Sequence, residues 1–160
     1  MNPRRILFVC TGNSCRSVMA QEYMRHLLER AGIQAVQVES AGVFAVSGMA
    51  PTRETVRVLQ EAGVACSDHQ ARVVTGALVQ SADLILVMEQ FQLEEVLRRD
   101  AGARGKTYLL KSYQLPPGEA PDNPNIPDPI GKPLEVYEVC FRDIREAVER
   151  VAKSLGVHTR

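Results

Sequence analysis

The sequence predicts a three-layer α/β fold, in which a four-stranded parallel sheet carries helices on both faces. Four short apolar segments alternate with longer segments whose apolar residues recur at helical spacing, which is typical of parallel strands joined by crossover helices. Residues 83–88 (DLILVM) are apolar almost throughout, as expected of a strand covered on both faces. A chain of 160 residues suits one domain with a full core, so we predict a single domain over residues 1–160.

The first half of the chain predicts two strands, each followed by a helix. The first strand, residues 6–10, leads into small and turn-forming residues and then into a helix that begins near Arg16 and ends at Gly32. Residues 35–40 (AVQVES) alternate well enough for the second strand, and Ala41-Gly42 follow it. The next helix opens at Pro51 and Thr52, and Gly63 ends it.

The second half of the chain predicts two more strands, a helix between them and a long helix at the end. Residues 83–88 and 106–110 are the strands, and Phe91, Val96 and Leu97 mark the helix between them. Residues 115–133 are rich in proline and polar groups, and ordered loops of this length tend to be functional. The last helix starts at Pro133 and carries an apolar stripe, which comprises Tyr137, Cys140, Ile144, Val148, Val151 and Leu155.

Charge and cysteine content narrow the classes of function. The 19 basic and 19 acidic residues balance, so we expect no general affinity for nucleic acid or anionic membranes. The first apolar run is too short for a signal peptide, and no run reaches the roughly 18 apolar residues of a membrane span. These features predict a cytoplasmic protein. The four cysteines show neither a disulfide framework nor zinc-ligand spacing, so we predict free thiols and no metal site.

Residues 6–17 (ILFVCTGNSCRS) carry the predicted chemistry. Cys10 ends a strand and Arg16 begins a helix, so the loop between them lies at a helix N-terminus, where unpaired amides favour anions. Five intervening residues allow the loop amides to converge on one anion while the guanidinium closes the ring. A thiol in such a place ionises more readily than a free thiol. We therefore expect Cys10 to be a thiolate nucleophile, although a small buried cysteine in an ordinary turn is the alternative.

A phosphate monoester held in this loop could be attacked at phosphorus by the thiolate, while amides and Arg16 stabilise the phosphoryl oxygens. Ser17 can hydrogen-bond the sulfur. A loop this tight needs a residue at positive φ, for which Gly12 and Asn13 are both candidates, or Asn13 can brace the loop through its side-chain amide. The residues that this geometry assigns to substrate binding are Thr11, Gly12, Asn13, Ser14, Cys15 and Ser17.

The run of residues 10–17 (CTGNSCRS) resembles the signature of the low-molecular-weight protein tyrosine phosphatases, and the chain length suits that family. Its members carry their general acid in an Asp-Pro pair far downstream, which Asp128-Pro129 matches; Asp122 in the same loop is the alternative. The resemblance implies a cysteine-dependent phosphatase of phosphorylated proteins that passes through a cysteinyl-phosphate and releases inorganic phosphate. It also implies a phosphate loop after the first of four parallel strands. We expect no metal or organic cofactor, because loop amides and one guanidinium supply the positive charge.

The resemblance also suggests supporting roles. Ser40 matches a serine that braces the loop through the asparagine, here Asn13, or is a plain turn residue. His69 matches a histidine that pairs with a helix glutamate, and Gln21 stands in place of that glutamate, which leaves His69 as a local hydrogen-bonding residue. Cys15 matches a loop cysteine that can form a reversible disulfide with the nucleophile; a small filler is the alternative. The two remaining cysteines are predicted to be structural.

Two positions bear on the substrate. Ile130 stands where many tyrosine-directed members of the family carry an aromatic residue that stacks on the substrate ring. Ser14 stands where such members often carry a bulky aliphatic residue, whereas relatives with a small hydroxyl residue act on phosphoarginine. The resemblance therefore favours phosphoarginine over phosphotyrosine, since a hydroxyl can hydrogen-bond a guanidinium.

Two other functions compete with a protein phosphatase. An arsenate reductase of the same fold would need two further cysteines in relay, and Cys66 and Cys140 are too far apart in sequence to suggest one. A phosphate-binding module without catalysis would need neither Cys10 nor Asp128, and the presence of both argues against it.

Overall fold

The computed structural model of the chain describes residues 2–66 and 68–158. Within these residues, four parallel strands form one sheet in the spatial order β2-β1-β3-β4. The strands are β1 (Arg5–Cys10), β2 (Gln37–Gly42), β3 (Leu84–Val87) and β4 (Thr107–Leu109). The helices are α1 (Arg16–Arg30), α2 (Arg53–Glu61), α3 (Gly76–Ser81), α4 (Gln90–Arg99) and α5 (Leu134–Ser154), and a 3₁₀ helix covers Ala101–Lys106. The predicted α/β architecture is confirmed.

Different helices cover the two faces of the sheet, because side chains alternate along β1. Ile6, Phe8 and Cys10 belong to a buried cluster shared with α1, α2 and α5. Leu7 and Val9 belong to a second cluster shared with α3 and α4. Cys10 therefore lies on the α1 and α5 side at the carboxyl edge of the sheet, which is the edge where open parallel sheets bind ligands.

Two elements differ from the predicted ones. β2 continues to Gly42, two residues beyond its predicted end, because Ala41 and Gly42 pair with Val9 and Cys10 of β1. The sequence pattern does not indicate α3, since this six-residue helix buries only Val79 and so has no apolar stripe. No helix among the described residues combines the length and the apolar character needed to cross a membrane.

Candidate active site

The loop between β1 and α1 surrounds the Cys10 sulfur with hydrogen-bonding groups. Cys10 is buried, and its Sγ lies 2.9 Å from the Ser17 hydroxyl oxygen and 3.3 Å from the backbone nitrogen of Asn13. Both groups can donate, so an ionised sulfur at this position would accept two hydrogen bonds. The structure thus brings Cys10 and Ser17 together across the turn, as the sequence predicts.

Asn13 is the residue that both turns the loop and braces it. Its φ of 55° places it in the left-handed region, which asparagine tolerates, whereas Gly12 lies outside that region. Its buried Nδ2 donates to the hydroxyl oxygens of Ser17 (2.8 Å) and Ser40 (2.9 Å), and its Oδ1 accepts from the backbone nitrogen of Arg72 (3.0 Å). The expectation that Gly12 supplies the positive φ is therefore wrong. Asn13 supplies the positive φ and also braces the loop through its side-chain amide.

A chain of hydrogen bonds continues from this brace. The Ser40 hydroxyl donates to Gln21 Oε1 (2.7 Å), which leaves Gln21 Nε2 facing His69 Nδ1 at 3.5 Å. Because the amide nitrogen is a donor, His69 Nδ1 acts as the acceptor, and its Nε2 donates to the backbone oxygen of Asn13 at 2.8 Å. Gln21 thus contacts His69 at the place where the family resemblance puts a glutamate.

Gly42 lies where the end of β2 packs tightly against the loop. A Cβ atom on Gly42 would lie 2.4 Å from the backbone oxygen of Thr11 and 2.9 Å from the backbone nitrogen of Asn13. Real Cβ atoms do not approach backbone atoms so closely, so only glycine fits between β2 and the loop as it stands. Gly42 pairs with Cys10 across the sheet, which explains why the strand continues to this residue.

Arg16 is buried, with only 1% of its side chain exposed, and its guanidinium contacts the loop and two acidic residues. Its Nη1 pairs with Glu89 and donates to the backbone oxygen of Ile126 (2.8 Å), and its Nη2 lies 3.4 Å from Thr11 Oγ1 and 3.4 Å from Asp128 Oδ2. Burial on its own lowers the pKa of Arg16, but the negative charges of Cys10, Asp128 and Glu89 outweigh it and raise this pKa.

Asp128 is brought to the loop from more than a hundred residues away in sequence. Its Oδ1 accepts a hydrogen bond from the backbone nitrogen of Ile130 (3.1 Å), which orients the carboxylate, and its Oδ2 faces Arg16. The side chain remains 38% exposed, so solvent reaches the carboxylate. Ile130 is exposed next to it. Asp122 is exposed, and the described part of the chain shows no ion pair or hydrogen bond from its side chain to the loop.

The part of the loop formed by Ser14 and Cys15 is tied to the start of α2. The Ser14 backbone oxygen accepts from the backbone nitrogen of Thr52 (3.1 Å), and Cys15 Sγ lies 3.5 Å from Thr52 Oγ1 and 3.7 Å from the hydroxyl of the buried Tyr137. Cys10 and Cys15 are both free thiols and contact different hydroxyl groups. The Ser14 side chain is buried, with its hydroxyl 3.8 Å from the Cys15 sulfur.

Sequence reasoning missed Glu89 and Gln92, which follow β3 at the same edge of the sheet. Val87 pairs with Val9, so the residues after β3 lie beside the loop that follows β1. Glu89 pairs with Arg16, and Gln92 Nε2 donates to Thr11 Oγ1 (3.1 Å). Polar residues at the carboxyl ends of adjacent parallel strands converge, but the sequence alone does not display which strand lies next to β1.

The other two cysteines are shielded thiols. Burial raises the pKa of the Cys140 thiol to about 12 and that of the Cys66 thiol to about 11. Both remain protonated near neutral pH and are poor nucleophiles. Across residues 2–66 and 68–158, no group of three or more histidine, cysteine, aspartate and glutamate side chains is arranged to hold a metal ion.

Comparisons with known proteins agree with this geometry. Residues 5–159 match the family model described as low molecular weight phosphotyrosine protein phosphatase. A protein-arginine-phosphatase from Geobacillus stearothermophilus is 34% identical over 96% of this chain and 97% of its own length. A probable low molecular weight protein-tyrosine-phosphatase, EpsP, from Ralstonia nicotianae is 37% identical over 91% of this chain and 92% of its own.

A solved structure of a phosphatase also resembles this chain. A mutant of the YwlE arginine phosphatase with a phosphorylated active-site serine superposes with a TM-score of 0.85, at 33% identity over 95% of each chain. The matched family model spans nearly the whole chain, and the parallel sheet with its loop after β1 agrees with it. The chain therefore belongs to the low molecular weight phosphotyrosine protein phosphatase family.

Proposed function

We propose that this protein removes phosphoryl groups from phosphorylated protein side chains, preferring phosphoarginine to phosphotyrosine, through a cysteinyl-phosphate intermediate on Cys10. The observation that carries the proposal is the position of Arg16, whose guanidinium contacts Thr11 in the loop and Asp128 on a distant loop at once. A guanidinium there can hold a phosphoryl group between the sulfur and the acid.

The proposed reaction has two steps. The Cys10 thiolate attacks phosphorus, the bond from phosphorus to the leaving oxygen or nitrogen breaks, and Asp128 donates its proton to the leaving group. The Asp128 carboxylate then takes a proton from water, the resulting hydroxide attacks phosphorus, and the sulfur–phosphorus bond breaks. Inorganic phosphate leaves and the thiolate is restored. Arg16 and the loop amides stabilise the phosphoryl oxygens in both steps, while Ser17 donates to the sulfur as it departs.

The relatives support covalent chemistry and a phosphorylated protein as substrate. The YwlE mutant carries its phosphoryl group on an active-site serine, which is the result expected if the active-site residue attacks phosphorus. Proteins named protein-arginine-phosphatase and protein-tyrosine-phosphatase both match nearly the full chain. The balanced charge of the chain gives no support for nucleic acid or a membrane as a partner.

Exposed apolar side chains beside the loop fit a polypeptide substrate. Phe44, Val46 and Met49 follow β2 and are each more than half exposed, as is Ile130 beside Asp128. The Phe44 backbone nitrogen donates to the Thr11 backbone oxygen (2.9 Å), which fixes this segment against the loop. A rim of this kind offers apolar contact to the residues that flank a phosphorylated side chain.

Ser14 is the proposed determinant of substrate preference. We expect Ser14→Ile to lower the ratio of kcat/KM for phosphoarginine peptides over phosphotyrosine peptides by about tenfold or more, because isoleucine removes a hydrogen-bonding group and adds apolar surface. Ser14→Thr, which keeps a hydroxyl, is the matched control and should retain the native ratio. An unchanged ratio in Ser14→Ile would remove Ser14 as the determinant.

Asp128 is the proposed general acid. We expect Asp128→Asn to lower kcat/KM by about 10²- to 10³-fold for phenyl phosphate, whose leaving group needs a proton, and by much less for para-nitrophenyl phosphate. Asp122→Asn is the control and should leave both rates unchanged, since Asp122 lies away from the loop contacts. Equal slowing of both esters by Asp128→Asn would count against the assignment.

Ester hydrolysis, together with an assay of arsenate-dependent thiol oxidation, distinguishes the phosphatase from a binding module and from an arsenate reductase. A binding module would bind phosphate and turn over neither ester. An arsenate reductase would oxidise a thiol donor when arsenate is added, and it would need relay thiolates. Burial keeps the Cys66 and Cys140 thiols protonated, which favours the phosphatase.

A further inference from the structure

Gln92 is a buried residue whose amide orientation is fixed by the backbone. Its Oε1 accepts hydrogen bonds from the backbone nitrogens of Met88 and Glu89, each at 2.9 Å, where β3 passes into α4. The reversed amide would place an NH₂ group against two N–H groups, so the orientation has one solution. Gln92 Nε2 is therefore the end that faces Thr11, and it donates to Thr11 Oγ1 at 3.1 Å.

This orientation of Gln92 determines whether the Thr11 hydroxyl can donate a hydrogen bond to a ligand. A hydroxyl oxygen accepts at most two hydrogen bonds and donates one. Thr11 Oγ1 accepts from Gln92 Nε2 and from Arg16 Nη2, and neither of these groups can accept in return. Within residues 2–66 and 68–158, no protein atom accepts the Thr11 hydroxyl proton, so this proton is available to a ligand.

We propose that Thr11 donates its hydroxyl proton to a phosphoryl oxygen of the ligand, and that Gln92 is the positioning residue that sets this direction. Thr11 Oγ1 and Arg16 Nη2 are 3.4 Å apart, so one phosphoryl oxygen can be reached by both groups. Thr11 is the first residue of the loop after Cys10, and its hydroxyl contacts the guanidinium that is proposed to hold the phosphoryl group. The hydroxyl would thus supplement the loop amides as a donor to the charge that develops on phosphorus.

The first test compares Thr11→Val, which keeps the side-chain shape and removes the hydroxyl, with Thr11→Ser, which keeps the hydroxyl. We expect Thr11→Val to weaken binding of inorganic phosphate and to lower kcat/KM by about 10- to 100-fold, and to lower the melting temperature as well, because buried Gln92 Nε2 loses its acceptor. Thr11→Ser should recover most of these losses. Thr107→Val, which removes the hydroxyl that donates to the Ala103 backbone oxygen, is the structural control and should leave phosphate binding unchanged.

The second test reverses the hydrogen bond between the two side chains. In Gln92→Glu, one carboxylate oxygen still accepts hydrogen bonds from the backbone nitrogens of Met88 and Glu89. The other oxygen accepts a hydrogen bond from the Thr11 hydroxyl, whereas the native Gln92 amide donates one to it. The added charge also repels phosphate, so the double variant with Thr11→Val separates the two effects. We expect the loss from Thr11→Val to disappear in the Gln92→Glu background, because the hydroxyl proton is already taken.

Phosphate affinity also keeps this inference apart from the proposed function on which it rests. If the wild-type protein binds phosphate but turns over no phosphorylated substrate, the proposed phosphatase function is wrong. The role of Thr11 is then still tested by the phosphate affinities of the variants. Native phosphate affinity in Thr11→Val would overturn the role of Thr11 as a donor. The same conclusion would follow if Thr11→Val lowered phosphate affinity by the same factor with Gln92 and with Gln92→Glu. If Thr11→Val does not fold, Thr11→Ala provides the same comparison with less side-chain volume.

Discussion

Replacing Cys10 with serine is expected to abolish turnover and to leave phosphate binding nearly unchanged. Serine lacks an ionisable thiol, so its hydroxyl is a far weaker nucleophile, and loss of a nucleophile lowers kcat by at least about 10⁴-fold. The groups proposed to hold phosphate are backbone amides and Arg16, none of which the substitution removes. Hydrolysis of para-nitrophenyl phosphate measures the first effect, and calorimetric titration with inorganic phosphate measures the second.

Cys66→Ser is the matched control for this result. The Cys66 thiol is half-buried and takes no part in the loop, and its raised pKa keeps it protonated, so its replacement should preserve turnover. Substantial turnover in Cys10→Ser would contradict the assignment of the Cys10 thiolate as the required nucleophile. Loss of phosphate binding in Cys10→Ser would mean that the sulfur, rather than the amides and Arg16, organises the anion site.

Gly42→Ala is expected to lower activity strongly, although Gly42 lies outside the loop. The added methyl group would meet the Thr11 backbone oxygen at 2.4 Å, so the loop or β2 must move. A shift of an ångström in the loop is enough to lower kcat/KM by about 100-fold, and overpacking of this kind costs about 1–3 kcal/mol of stability. Steady-state assays and thermal unfolding of the same preparation measure both effects.

Gly105→Ala is the control for Gly42→Ala. A Cβ on Gly105 meets no heavy atom within 4 Å, so this variant should keep native activity and stability. Native kcat/KM in Gly42→Ala would show that the contact between β2 and the loop does not fix the geometry of catalysis. A fall in melting temperature with native kcat/KM would assign Gly42 to stability alone.

Local sequence was sufficient for the parts of the site that lie within one strand, one turn and one helix. Cys10, Ser17 and Arg16 were predictable because their spacing decides where each side chain stands around a helix N-terminus. The buried run of β3 was predictable because an apolar segment has few alternatives in a parallel sheet. Asp128 depended on the family resemblance, since an aspartate beside proline in a long loop is most often a solvated turn residue.

The remaining parts depend on contacts between distant segments, which a single sequence does not display. Glu89 and Gln92 become site residues only because β3 lies next to β1. The choice between Gly12 and Asn13 for the positive φ was settled by Ser40 and Arg72, whose hydrogen bonds hold the Asn13 side chain. Glycine has the lower intrinsic cost at such a position, but the tertiary hydrogen bonds outweigh it.

The brace around Asn13 has a consequence for how the protein gains its activity during folding. Its partners Ser40, His69 and Arg72 stand 27, 56 and 59 positions further along the chain. Contacts of such sequence separation form late, because a long stretch of polypeptide must first be ordered. A nascent or fragmented chain that already contains residues 10–17 therefore lacks the geometry for reaction, and competence arises with the native state as a whole.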